Sequence, residues 1–377
     1  MMVVLYHLPI LNSIYLSDWL RHARTVLELF FILSGFVMAM VYGDRISGVG
    51  GLKTFLVRRV SRLWPPHAVI LALWLVMELG RAVLWNKGLL HTGDIPFTHD
   101  NSIPAFVKNL FLVQSWGWSP DKLFTWNYPS WSVSTEFAAY ILMAVMSVLA
   151  TNLRTRICAA LAISVLAAAS YFHQSHGFDA DDYVSVSRCM MGFFLGYVIY
   201  FVWKARPIRS RLTGSTVEIA AVAGAYFAIS ANLTGMSFLL SPLIFGLMVY
   251  AFASEKGVVS DLLKIGPLPR FGEMSYSIYI SHALVLEMLK LVFLALQKAF
   301  HVSMFSAPAK PPIGERESVV SIGGVHAMDL LTLATLAVVL VFGAWVYRHV
   351  EAPTRVRRPV KAAASGPSSY AGAVQSN

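Results

Sequence analysis

Ten apolar runs, each closed by polar or turn-forming residues, divide the chain at roughly 1–12, 26–42, 63–85, 130–150, 157–172, 185–203, 217–232, 236–253, 274–296 and 329–347. Their hydrophobicity continues around every face. That predicts helices buried in protein or lipid and argues against the weak alternation of a membrane barrel. The first run is short: it meets Pro9 and Asn12 well before the roughly 20 apolar residues needed to cross a bilayer. The pattern predicts an all-α, polytopic integral membrane protein with about ten transmembrane helices.

Composition agrees, with 56% hydrophobic and 13% charged residues, against about 25% charged in a soluble domain. Of the 30 Lys and Arg, nineteen fall in the connecting segments on one side, at 45–62, 154–156, 204–211, 256–270 and 348–361. Eight fall on the other side, and Arg81, Arg188 and Lys290 lie within spans. With acidic residues included, one face carries +14 and the opposite face −1. The basic face is therefore expected to be cytoplasmic, in the inner membrane, and an even span count puts both termini there. This bias accounts for the net charge of +10 without a nucleic-acid partner. Cys158 and Cys189 fall inside spans with no metal or redox spacing, so no metal site or disulfide framework is expected. A charged leader and a small-residue cleavage site of the signal-peptide kind are missing.

The chain reads as one integral domain over 1–353, with a cytoplasmic, small-residue-rich tail over 354–377 expected to be disordered. Two external segments, 86–127 and 297–328, are long enough to form structure, the second containing Pro308, Pro311 and Pro312. Gly192 and Gly196 form a small-xxx-small step that reads as helix packing.

Several polar residues stand out against the apolar background. His7 is an ionisable group inside a membrane-grade run, a costly placement that marks a functional candidate. Arg58, Arg59 and Arg62 sit at a membrane entry. Arg59 and Arg62 are three apart and share a helical face, suited either to phosphate or to simple anchoring on the cytoplasmic side. Ser132 and Glu136, four apart, share a face near the start of the fourth span, and a membrane carboxylate needs a partner. Ser275, Tyr279 and His282 recur at helical spacing as a polar stripe; for His282 a hydrogen bond to a neighbouring helix is the simpler reading. Ser34 has no base nearby in sequence and reads as a packing residue. Trp116, Trp118 and Trp126 suit sugar stacking or an interfacial belt equally well.

Taken in order, VLYH, ELFFILSGF, FLVRRVSRLWP, PSWSVSTEF, FGEMSYSIYISH and YRHVEAP resemble the membrane-bound acyltransferase-3 family, from residue 3 to about residue 353. The resemblance implies about ten helices and transfer of an acyl group, often acetyl, from cytoplasmic acyl-coenzyme A to a hydroxyl of an exported carbohydrate. O-antigen, exopolysaccharide and lipid-linked glycans are typical acceptors. No bound cofactor is implied; acyl-coenzyme A is a substrate. By the same resemblance His7 is the essential first-span histidine, Arg59 and Arg62 the paired arginines of the donor site with Arg58 beside them, and Glu136 the carboxylate of the Trp-Ser motif. Ser132, Ser275, Tyr279 and His282 are supporting polar residues. Imidazole is the natural base for a sugar hydroxyl, whether transfer is direct or through an acyl-enzyme. The family's arginine some ten residues before the histidine would fall ahead of Met1, so the first helix is expected to be truncated at its N-terminus. Glu28 stands where the family often has Asp. A transporter or flippase, or an inactive truncated relative, is the competing class. The order of the motifs and the absence of a detectable inverted repeat favour the enzyme.

Overall fold

Long apolar runs become long helices. The computed structural model describes residues 1–355 except 16, 44, 45, 47, 90–93, 117–123, 176–184, 232, 234 and 307–318. Among the described residues, eight helices are long and apolar enough to cross a membrane. They are built on α3 (Val26–Tyr42), α4 (Gly48–Asn86), α6 (Ser130–Leu149), α7 (Leu153–Ser175), α8 (Ser185–Ala205), α9 (Arg211–Ser230), α13 (Ser275–Phe300) and α14 (Val325–Val346). The two remaining apolar runs form shorter helices, α1 (Met2–His7) and α10 (Leu240–Ala253). Short connecting helices are α2 (Asp18–Arg21), α5 (Ile103–Leu110), α11 (Val258–Leu263), α12 (Leu268–Glu273) and α15 (Ala352–Thr354). The tail beyond 355, Trp118 and the three prolines of the second external segment lie outside the described residues.

Helix α1 ends where local chemistry ends it. Leu8 precedes Pro9, a position driven out of helical geometry, and adopts φ −71° and ψ 119°. The extended chain then joins a small sheet. Strands β1 (Phe305–Ser306) and β2 (Val319–Val320) pair antiparallel. Val320 N donates to the Pro9 carbonyl at 2.8 Å, and Leu11 N donates to the Val320 carbonyl at 3.0 Å. Leu8, Ile10, Leu286, Val320 and Met328 close a buried cluster around this junction. Buried Asn12 donates to Thr332 Oγ1 at 3.0 Å and ties the segment to α14.

Helix α4 has 39 residues and runs through Pro65 and Pro66 without interruption. At 1.5 Å per residue it is about 58 Å long, well beyond the ~30 Å apolar slab. Its first turns, with Arg58, Arg59 and Arg62, are a basic extension of the span that follows.

The core is organised by the α3–α8 crossing, the most extensive helix contact among the described residues. Small residues permit it. A Cβ at Gly35 would overlap the Phe193 carbonyl, and one at Gly196 would overlap the Ile32 carbonyl. Gly192 faces Phe31 and Ile32 across the same seam, so the small-xxx-small step serves helix packing. Arg188 of α8 closes the crossing with a 2.6 Å bond to Glu28 of α3, both side chains buried.

Because backbone carbonyls cannot swing aside, Gly196→Ala and Gly35→Ala should each destabilise by at least about 1–3 kcal/mol. Gly80→Ala, with open space around its Cβ, should be neutral or slightly stabilising. Thermal unfolding of the three variants in one detergent checks the contrast; equal midpoints would show that the α3–α8 seam is not tight.

Candidate active site

At the basic end of the bundle lies a cavity of about 420 Å³. The first turn of α1 forms one wall with Met1 to Val4; Arg59 and Arg62 of α4 and Ser275 and Tyr279 of α13 contribute others. Ser132, Glu136 and Tyr140 complete it from α6, as the four-residue spacing requires. Glu136 Oε1 accepts from Ser34 and, at 2.5 Å, from the Tyr140 hydroxyl. Ser34 is thus a partner of the membrane carboxylate as well as a packing residue.

The arginines are held in different ways. Arg59 donates to the Tyr42 hydroxyl at 3.2 Å, with its guanidinium 5.3 Å from the Tyr42 ring centre and 6.0 Å from that of Tyr140. Arg62 lies 4.0 Å from the carboxylate of Glu351. A second pocket of about 220 Å³ at this end is lined by Arg58, Arg59, Arg62 and Arg355. Arg355 and Glu351 were not anticipated as site residues, although Glu351 lies in the YRHVEAP block. Glu351 ends a π-helical turn, Tyr347–Glu351, and is fully buried. It bonds Arg355 and accepts from Ser277 Oγ at 2.6 Å.

Further along α13 the polar stripe reaches two imidazoles. The Tyr279 hydroxyl lies 2.8 Å from Ser132 Oγ and 2.9 Å from the Pro129 carbonyl. One turn on, buried His282 has its Nδ1 2.5 Å from the Tyr279 carbonyl. A carbonyl only accepts, so Nδ1 carries the proton and the lone pair is on Nε2. Nε2 is buried and has no hydrogen-bond partner among the described residues. The His7 ring, at the last residue of α1, is centred 5.4 Å from His282 and 4.9 Å from Tyr128. Asn127 fixes this approach by donating to the Ile280 carbonyl at 2.9 Å. Four motif blocks, spread over the chain, thus touch α13, which carries the fifth, and ELFFILSGF joins them through Ser34 and the wall of the shared cavity.

Tyr128 also faces the other way. It lines a pocket of about 230 Å³ at the end opposite the arginines, with Trp74, Glu78, Arg81, Asp94, Asp100, Trp126 and Glu287 among its walls. Trp126 belongs to this pocket. Trp116 instead donates to the Ser134 carbonyl at 3.0 Å and stacks on Phe137, which fits an anchoring role.

A helical, multi-pass membrane protein with an arginine-walled cavity leading to a histidine pair is the class that fold and site define. The family model described as an acyltransferase domain, that of acyltransferase-3, matches residues 1–349, and the chain belongs to this family. It is 26% identical over 301 residues to Acyltransferase MdmB of Streptomyces mycarofaciens, a match covering 75% of this chain and 70% of that protein. No solved structure matches. The chain is a membrane acyltransferase.

Removing the Glu351 carboxylate orphans the buried Ser277 hydroxyl and frees Arg355, so Glu351→Ala should cost on the order of 2 kcal/mol. Arg62→Ala removes a longer, half-exposed contact and should cost well under 1 kcal/mol. Chemical unfolding of both variants would refute this ranking if Arg62→Ala were the worse.

Proposed function

We propose that the protein is an O-acyltransferase that takes an acyl group, acetyl in the simplest case, from cytoplasmic acyl-coenzyme A. It delivers the group to a carbohydrate hydroxyl on the far side of the inner membrane. The observation that carries this reading is the position of the His7–His282 pair. Tyr279, next to it, lines the arginine-walled cavity, and Tyr128, also next to it, lines the opposite pocket. In this reading the basic end faces the cytoplasm with both termini, following the charge bias of the connecting segments.

Arg58, Arg59 and Arg62, joined by Arg355, hold the phosphates of the donor, for which planar guanidinium groups are well suited. The thioester arm lies along the cavity past Ser275, Ser132 and Tyr279. His7 takes the proton of the acceptor hydroxyl as its oxygen attacks the thioester carbon. The C–O bond forms, the C–S bond breaks, and the departing thiolate receives a proton to leave as free coenzyme A. His282, with an unprotonated Nε2 across from His7, supports the proton transfer. Glu136, held by Ser34 and Tyr140, orients the reacting groups from the donor side.

The test follows coenzyme A release from acetyl-coenzyme A by the purified protein with glycan acceptors. His7→Ala should lower kcat by about 10²–10⁴-fold, the usual contribution of a general base. Arg59→Ala should raise the donor KM on the order of tenfold with a smaller change in kcat. If wild type and His7→Ala released coenzyme A equally, the assignment of the base would fall.

A further inference from the structure

We propose that the pocket opposite the arginines is the acceptor site and that its charge selects a sugar carrying a protonated amino group. The inference rests on the acyl-transfer reading above and adds the chemistry of the acceptor.

Position comes first. Tyr128 is common to the pocket wall and to the surroundings of His7, its ring centre 4.9 Å from the imidazole. A molecule in the pocket therefore lies one ring away from the proposed base. Size is the second point. At about 230 Å³ the space is below the roughly 300–1,000 Å³ of drug-sized sites, and it suits a single sugar ring. The walls are the third. Trp74 and Trp126 stand in the walls. Trp74 is only 6% exposed, and its indole Nε1 has no hydrogen-bond partner among the described residues. A buried donor left unsatisfied in a pocket wall is what a ligand oxygen would complete.

Charge decides the class. The described lining residues include four carboxylates, Glu78, Asp94, Asp100 and Glu287, against the single guanidinium of Arg81. Glu78 is accounted for: Arg81 lies at 3.0 Å, and it accepts from Phe97 N at 2.9 Å and Asn101 Nδ2 at 3.2 Å. Glu287 has Lys290 at 3.8 Å. Asp94 and Asp100 have no ion pair among the described residues. Burial, and then the neighbouring Asp94 charge, push the Asp100 carboxyl above its ordinary range, while His99 opposes the shift. Two adjacent carboxylates beside aromatic walls stabilise an ammonium group and repel a uronate or phosphorylated sugar.

Binding of methyl β-glucosaminide, methyl β-glucoside and methyl β-glucuronide to the full-length protein in detergent, read by tryptophan fluorescence, tests the proposal. The amine should bind about tenfold tighter than the neutral glycoside, and the glucuronide weakest. The double variant Asp94→Asn, Asp100→Asn should lose the advantage of the amine while keeping its unfolding midpoint. Equal affinities, a preference for the neutral or anionic glycoside, or no binding of any of the three would overturn it. The readout needs no donor. Failure of coenzyme A release with every acceptor would sink the acyl-transfer reading while leaving a measured amine preference intact. Transfer without amine preference would sink only the present inference.

Discussion

A polar group inside an apolar slab costs several kcal/mol unless it is hydrogen-bonded, and this constraint governs the architecture of the chain. Glu28 meets Arg188 at a sequence separation of 160, Glu136 meets Ser34 at 102, and Asn127 meets the Ile280 carbonyl at 153. Each of these bonds joins segments far apart along the chain. The contacts that make the polar groups tolerable therefore also fix where the helices stand. Van der Waals packing at glycine seams brings α3 and α8 together, and the Glu28–Arg188 pair sets their relative register.

Against that background an unsatisfied buried nitrogen carries information. His282 spends Nδ1 on its own helix and, among the described residues, keeps Nε2 unpaired beside a second imidazole. Leaving such an atom without a partner costs about 1–3 kcal/mol. A packing residue would gain nothing from that arrangement. A proton-transferring residue gains a base whose tautomer is already set before the substrate arrives, and the acyl-transfer reading uses the group in that way.

What could be read from the chain followed from the range of the physics involved. Hydropathy is local, so the apolar runs gave the spans, with α1 and α10 emerging as the short members. Helical spacing is local too, so Ser132 with Glu136, and Ser275 with Tyr279, were legible as shared faces and do line one cavity. Glu351 and Arg355 are four residues apart, but they were missed because what makes Glu351 part of the site is its reach to Ser277, 74 residues away, and to Arg62 of α4. Tyr128 carried no separate signal, since nothing in its neighbourhood reports that α1 ends beside it. Trp74 lay inside an ordinary apolar run, and only the folded chain brings Asp94 and Asp100 to the same pocket.

One helix touches every part of the site. Ser275 and Tyr279 of α13 line the arginine-walled cavity, Ser277 holds Glu351, His282 faces His7, and Glu287 lines the opposite pocket. From 275 to 287 the rise is about 18 Å, so α13 acts as a ruler between the two compartments. It is fastened along its length: Tyr276 donates to the Leu63 carbonyl of α4 at 2.5 Å, and Asn127 bonds the Ile280 carbonyl. A rigid ruler has a chemical consequence. In the proposed reaction the distance from the arginines of α4 to the imidazoles is set by how α13 is fastened to α4, so a donor held by those arginines would reach the histidines only if its arm had the matching length. On that reading a tilt of α13 would misplace both proposed substrates together. Strong anchoring of this helix to α4 and to the lead-in of α6 is therefore what the proposed chemistry requires.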